Sequence, residues 1–391
     1  MFKKVRYYIF LKDVFILTLT AFGGPQAHFA MFLDLMVKKR GYLDEQELIE
    51  LHALCQILPG PTSTQTLTAI GFKIGGPPLA YLTLLVWLIP AFLIMTTAGV
   101  AISVLGKDQI SLDFTKYVHP IAIGVVGYSA FLLIKKVVKG PVAIVLMISS
   151  AVVSYYMQTP YVFPFLLLIG GGITAFNFKK QPIEEKKPMK INWSNFILWA
   201  GVFVFAALLG GFTQSLSVRI FENFYRNGSL VFGGGQVLVP LMYTEFVEFK
   251  KYLTSEEFLT GIALVQAIPG PVFSISAFIG SISMEEFGMS GQIFGAVMAA
   301  LGIFLPGTFL IFFVIRFWEE LKKYRIIRAS IDGISAVSAG MILAAAFLLF
   351  APIRDVPINY VLVGVSFLIL VFTKIPAPVL ILVGLIAGIF I

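Results

Sequence analysis

"FGGPQ" at residues 22–26 and "FGGGQ" at 232–236 are nearly the same five letters, set 210 positions apart. "QILPGP" at 56–61 and "QAIPGP" at 266–271 keep that offset. Aligned at this spacing without gaps, positions 22–61 share 14 identities over 40 with their counterparts. Among these are Tyr42 and Leu43 with Tyr252 and Leu253, and Glu47 with Glu257. Chance at ordinary residue frequencies gives roughly two or three. The chain contains an internal duplication, and each copy carries glycine and proline where a membrane helix tolerates them least.

Composition sets the environment. Of 391 residues 58% are hydrophobic and 13% charged, and long apolar runs recur from 81–105 to 359–372. That ratio excludes a soluble domain, and continuous rather than alternating runs exclude a β-barrel. The fold class is an all-α polytopic membrane protein. The basic opening "MFKKVRYY" lacks a small-residue cleavage site and reads as part of a retained helix. A single cysteine, Cys55, leaves no internal disulfide or thiolate cage, and the three histidines share no metal-ligand spacing. No metal or cofactor is expected. The net charge of +8 sits in short loops between apolar runs, so topology explains it better than nucleic acid does.

Basic clusters at 135–140, 179–190, 249–257 and 316–328 join the N-terminal "KKVR" on the cytoplasmic side, whereas 106–116, 158–161 and 283–291 suit the outside. Counting "FGGP" and "LPGP" as interruptions of crossing elements gives crossings at 8–38, 44–73, 77–104, 115–138, 141–157 and 160–178. One unmatched helix at 193–214 then inverts the second copy. The expectation is two inverted-topology repeats of broken helices and helical hairpins, about 13 crossings in all. The domains are residues 1–178, a linker with the inverting helix at 179–214, and residues 215–391. The N-terminus is cytoplasmic, the C-terminus external, and the polar turn 38–47 external, facing a cytoplasmic turn at 249–257.

The segments between Pro25 and Pro59 are too short to cross a core of about 30 Å, at about 1.5 Å per residue. They read as a hairpin that leaves mid-depth, reaches one surface and returns. Pro25 and Pro61 each follow glycine, which suits the first position of a helix. Helices starting near Pro25, Pro61, Gly235 and Pro271 aim four positive N-terminal ends into one cavity. Irregular backbone at that depth belongs where it lines a cavity. The binding set is Gly23, Gly24, Pro25, Gln26, Gln56, Pro59, Gly60, Pro61, Thr62, Ser63 and Thr64, with Gly233, Gly234, Gly235, Gln236, Gln266, Pro269, Gly270, Pro271 and Ser274 from the second copy. Neutral amides and hydroxyls hold an oxyanion and still release it. Such a donor-only site ranks phosphate, with its own protons, below fully deprotonated tetrahedral dianions.

The plainer reading is that glycine and proline only kink helices and allow close packing; it leaves the paired glutamines of both copies unexplained. His28 reads as a packed neutral histidine rather than a proton carrier. Glu47 and Glu257 read as capping or solvated residues of the polar turns. No facing acid pair or Ser–His pair supports an intramembrane enzyme.

"FGGPQAHFAMF", "LPGPTSTQ", "FGGGQVLVPLM" and "VQAIPGPVFSISAFIG" resemble the signatures of the chromate ion transporter (CHR) family in its long, two-domain form. The resemblance spans nearly the whole chain. It implies chromate efflux and chromate resistance, with sulfate as a related or competing oxyanion. The residues alone reach an inorganic oxyanion carried by a secondary transporter; uptake, or an anion channel, is the alternative. The partners are a chromate- or sulfate-like dianion and the bilayer, with a second copy of the chain as candidate in a homodimer.

Overall fold

Apolar runs in a bilayer must satisfy every backbone group internally, and this chain does so with helices. The computed structural model describes residues 2–22, 24–107, 116–159, 161–176, 191–232, 235–321 and 324–390. Gly23, Gly233, Gly234 and the linker 179–190 therefore lie outside the described residues, as do the side chains of Gln26 and Gln236. In chain order the helices are α1 (Phe2–Thr20), α2 (Gly24–Phe32), α3 (Glu45–Ile57), α4 (Thr62–Lys107), α5 (Val118–Val137), α6 (Pro141–Met157), α7 (Val162–Ala175), α8 (Ser194–Thr213) and α9 (Leu216–Leu230). There follow α10 (Gly235–Met242), α11 (Ser255–Ala267), α12 (Ile275–Ile282), α13 (Gly288–Val314), α14 (Trp318–Leu321), α15 (Arg325–Phe350), α16 (Pro357–Phe372) and α17 (Ala377–Phe390). Single π-helical segments, Leu33–Lys39 and Tyr243–Phe249, extend α2 and α10 at the same 210-residue offset. Among the described residues five stretches are long and apolar enough to cross a membrane: Thr62–Val104, Val118–Lys135, Ser194–Thr213, Glu285–Val314 and Arg325–Ile353. Large apolar side chains such as Leu168, Phe205 and Phe212 are exposed, as a lipid-facing surface requires.

The chain forms two compact units that cut across the sequence halves. The first comprises Met1–Ser111, Trp193–Gly235 and Leu264–Ile315. Within it, α2 doubles back along α1. Arg40 donates to Asp13 Oδ1 and Tyr42 to Asp13 Oδ2, both at 2.7 Å, and the Phe10 and Tyr42 rings meet edge to face at 5.2 Å. Lys73 pairs with Glu47, and a Cβ on Gly75 would touch the Tyr7 ring, so the first part of α4 returns to the same level. At Gly76 (φ +72°) α4 reverses, which packs Gly71 against Thr83.

These contacts correct two expectations. Residues 8–38 and 44–73 each fold back as a hairpin instead of running straight on, because each comes back beside its starting level. The polar turn 38–47 lies against Phe10 and Asp13 of α1 rather than at the far end of a straight crossing. A Gly-Pro break says where a helix stops but not at what angle the next one leaves. Here the buried carboxylate of Asp13 holds the returning turn.

The second part of α4 runs the other way. Its residues Trp87 and Ala91 lie level with the breaks, and Ser103, further on, accepts from Gln292 Nε2 at 2.7 Å. Helix α13 begins at that end, passes the breaks at Gly307 and brings Phe312 against Phe72 and Tyr81. The long helices α4 and α13 are thus antiparallel.

The second unit comprises Leu112–Asn192, Gln236–Ala263 and Arg316–Ile391. Its helices approach through small residues, as membrane helices do. A Cβ on Gly333 would lie 1.9 Å from the Gly170 carbonyl oxygen, and one on Gly340 would lie 2.1 Å from that of Met147. Hydroxyls bridge the same seams, Ser150 donating to Val337 O at 3.0 Å and Thr174 accepting from Gly333 N–H at 3.1 Å.

In both copies the acidic residues of the polar turns cap helices. Glu47 N–H donates to Asp44 Oδ1 and Asp44 N–H to Glu47 Oε2, at 2.7 and 3.0 Å. Thr254 N–H donates to Glu257 Oε2 at 2.7 Å, and Glu257 N–H to the Thr254 hydroxyl at 3.2 Å. The capping reading of Glu47 and Glu257 holds.

Candidate anion site at the helix breaks

The four breaks of the sequence meet in the first unit, as reciprocal pairs. Gly60 N–H donates to Val231 O at 2.7 Å, and Gly270 N–H donates to Ala21 O at 2.8 Å. Each donor sits in a "PGP" motif and each acceptor beside the "FGG" motif of the other copy. Shifting either bond by the 210-residue offset produces the other. Gly60 and Gly270 adopt the same backbone, with φ of +119° and +122°. A side chain at Gly60 would strike Gln65 Nε2 at 2.9 Å, and one at Gly270 the Ala91 Cβ at 2.8 Å. Glycine is required at both positions by conformation and by space.

Helices begin within a residue of the expected positions: α2 at Gly24, α4 at Thr62, α10 at Gly235 and a 3-10 turn at Val272 leading into α12. The first N–H groups of a helix have no partner in that helix and carry its positive end. The C-terminal ends of α1, α3, α9 and α11 come to the same breaks and would cancel that field. The reciprocal bonds engage part of this carbonyl set. Ala21 O accepts a second bond from His28 Nε2 at 3.1 Å, and Pro59 O accepts one from Gln65 Nε2 at 2.8 Å.

The expected site residues separate by role. The N–H groups of Gly60 and Gly270 are spent on the break pairs. Thr64 accepts from Trp87 Nε1 at 3.1 Å, and Ser274 donates back to Pro271 O at 2.8 Å, so both hydroxyls serve the scaffold. Gln56 is exposed and donates to His52 Nε2 at 3.0 Å. Thr66 closes that chain: its hydroxyl donates to Thr62 O at 2.8 Å and accepts from His52 Nδ1–H at 3.2 Å. Thr62 and Ser63 are buried in the first turn of α4, and among the described residues their hydroxyls bond to no protein group. With half-buried Gln266, they are the side-chain donors left for a ligand among the described residues of the expected set.

Gln65 and Asp13 escaped the sequence reading, and His28 does more than the packing expected of it. Gln65, 2% exposed, ties Pro59 O to Gly307 O, the latter at 3.1 Å across 242 positions. It follows directly on the hydroxyl run of "LPGPTSTQ", the signal that could have found it. His28 is packed, as expected, with its ring edge on Trp87 at 5.4 Å, but it also holds the Ala21 break. Asp13, 1% exposed, anchors the first hairpin. Among the described residues no group of three His, Cys, Asp or Glu side chains could hold a metal ion.

The model of the family described as "Chromate transporter" matches residues 9–176 and 218–389, one block per copy. The chain belongs to the chromate transporter family. It is an integral membrane protein, and the relatives it matches are transport proteins, not enzymes. A "Probable chromate transport protein" of Synechococcus elongatus is 28% identical over 94% of this chain and 91% of its own length. A "Chromate transport protein" of Cupriavidus metallidurans is 26% identical over 94% of this chain and 89% of its own. An uncharacterized transporter of Methanocaldococcus jannaschii is 24% identical over 95% and 91%. No solved structure matches. In this chromate transporter family member the two matched blocks supply one "FGG" and one "PGP" motif each, and the break pairs join one block to the other.

Proposed function

We propose that this chain is a secondary active transporter that exports chromate, with sulfate as a related substrate or competitor. The observation that carries the reading is the reciprocal pairing of the breaks. It gathers helix N-termini and the free hydroxyls of Thr62 and Ser63 while engaging the opposing carbonyls of Ala21, Pro59 and Val231. Such donors bind a tetrahedral oxyanion without a buried cation. Named relatives support chromate as the ion.

The two copies act as inverted repeats, with boundaries at 1–178 and 215–391 around the linker and inverting helix at 179–214. Antiparallel α4 and α13 support this, as does the exchange of bonds between breaks. With the four broken segments of each copy returning at half depth, nine crossings remain: the second part of α4, then α5, α6, α7, α8, α13, α15, α16 and α17. The parity is unchanged, so the N-terminus stays cytoplasmic and the C-terminus external in the plasma membrane. Only the hairpin turns exchange sides: Lys38, Lys39 and Arg40 move inside, and the basic turn 249–257 moves outside.

The test is flux of labelled chromate and sulfate into proteoliposomes, with and without an imposed pH gradient. Saturable flux with counterflow supports the carrier; non-saturating flux without counterflow means a channel. Absence of chromate flux under every condition refutes the substrate.

A further inference from the structure

The two break pairs each leave one buried hydrogen-bond acceptor with no partner, and its chemical identity follows from what surrounds it. His28 is 1% exposed, and its Nε2 faces the carbonyl of Ala21. A carbonyl cannot donate, so Nε2 carries the hydrogen. A buried imidazole whose other contacts are the Phe32 and Trp87 rings is neutral, which leaves a lone pair on Nδ1. That Nδ1 has no partner. Gln65 presents its amide to two carbonyls, Pro59 O and Gly307 O, so the atom between them must be the NH2 group. The carboxamide oxygen Oε1 then points elsewhere, buried and without a partner. One acceptor therefore belongs to the Ala21–Gly270 pair and the other to the Gly60–Val231 pair.

A naked dianion offers nothing to either atom, because acceptor faces acceptor. Leaving a buried acceptor unmade is costly, and a ligand that donates a hydrogen bond removes that cost. We propose that the site holds the singly protonated hydrogen-oxyanion more tightly than the dianion, because only the protonated form can donate an O–H to one of the two acceptors, His28 Nδ1 or Gln65 Oε1, while the other oxygens of either form take the N–H and hydroxyl donors. The proposal rests on the oxyanion reading above. It replaces the donor-only picture and removes the reason for ranking phosphate below sulfate. No acidic or basic side chain touches His28 or Gln65 among the described residues. The titratable groups nearest in the bonded network are His52 and Cys55 of α3, both engaged with Thr66.

The test uses the full chain in proteoliposomes at equal pH on both sides. Chromate gains a proton as pH falls through its second dissociation, whereas sulfate stays a dianion across the same range. The expected result is a KM for total chromate that rises by up to about tenfold per pH unit above that dissociation and levels off where the weakly held dianion takes over, with the KM for sulfate, a dianion throughout, flat. Sulfate also reports any effect of pH on the protein itself, through His52 or otherwise. At alkaline pH the two dianions compete alike; lowering pH separates them. A flat chromate KM with flux intact overturns the proposal and leaves chromate transport standing, while loss of chromate flux at every pH overturns both. His28→Gln keeps a donor for Ala21 and an acceptor and should retain the slope. His28→Leu combined with Gln65→Leu should give chromate the flat profile of sulfate; a slope that survives in a double variant still transporting sulfate overturns the role of these atoms. The wild-type profile decides the proposal even where a variant fails to fold.

Discussion

Replacing Gly60 with alanine puts a methyl group 2.9 Å from Gln65 Nε2 and 3.2 Å from the Gly307 Cα, on a backbone at φ +119°. Such a backbone costs a non-glycine residue about 1–3 kcal/mol. The methyl also drives Gln65 off Pro59 O and Gly307 O, two hydrogen bonds worth about 0.5–1.5 kcal/mol net each. Together these make about 2–6 kcal/mol against the intact break, or at least about thirtyfold in its population. Chromate flux at limiting concentration should fall by a similar factor in proteoliposomes, in protein that still elutes as a single species. Gly41→Ala is the control: φ is +58° but nothing lies within 4 Å, so it carries strain without collision and should keep flux within a few-fold. Wild-type flux from Gly60→Ala would refute the claim that the break geometry makes the site. Loss of flux from both variants would place the effect in backbone strain generally.

Gly270→Ala, with a Cβ 2.8 Å from that of Ala91, should match the Gly60 variant in direction, and a tolerant Gly270 would break the symmetry argument. Ser63→Ala removes one unpartnered hydroxyl and should raise the apparent dissociation constant for chromate several-fold, at about 0.5–1.5 kcal/mol; unchanged binding would remove Ser63 from the site. Arg40→Met leaves the buried Asp13 carboxylate with Tyr42 alone and should lower the Tm; an unchanged Tm would remove this pair from what holds the hairpin. Cysteines placed at Tyr8 and Arg40 in a Cys55→Ala background should label from one side and a cysteine at Lys250 from the other. Labelling of positions 8 and 40 from opposite sides would overturn the returning hairpin.

Much of this protein is legible in the letters themselves. Class follows from composition, because no soluble core can hide so much apolar surface. The duplication follows from identity at one fixed offset. Helix starts at Gly24, Thr62, Gly235 and Val272 are readable to within a residue, because the glycine, the proline and the missing N–H are local properties of the chain. The hydrogen-bonding chemistry of Asp44 with Glu47, three positions apart, is local too. What the breaks do next is not local. The angle at which α2 leaves "FGG" depends on Asp13 meeting Arg40 and Tyr42, and the exit from "PGP" on Lys73 meeting Glu47. The bonds that join the breaks connect Gly60 with Val231 and Ala21 with Gly270, partners that no window of sequence contains. The same holds for His28 and Gln65. Each reads only as a polar residue in an apolar helix until the carbonyl it faces decides which of its atoms donates, and which is left as an acceptor.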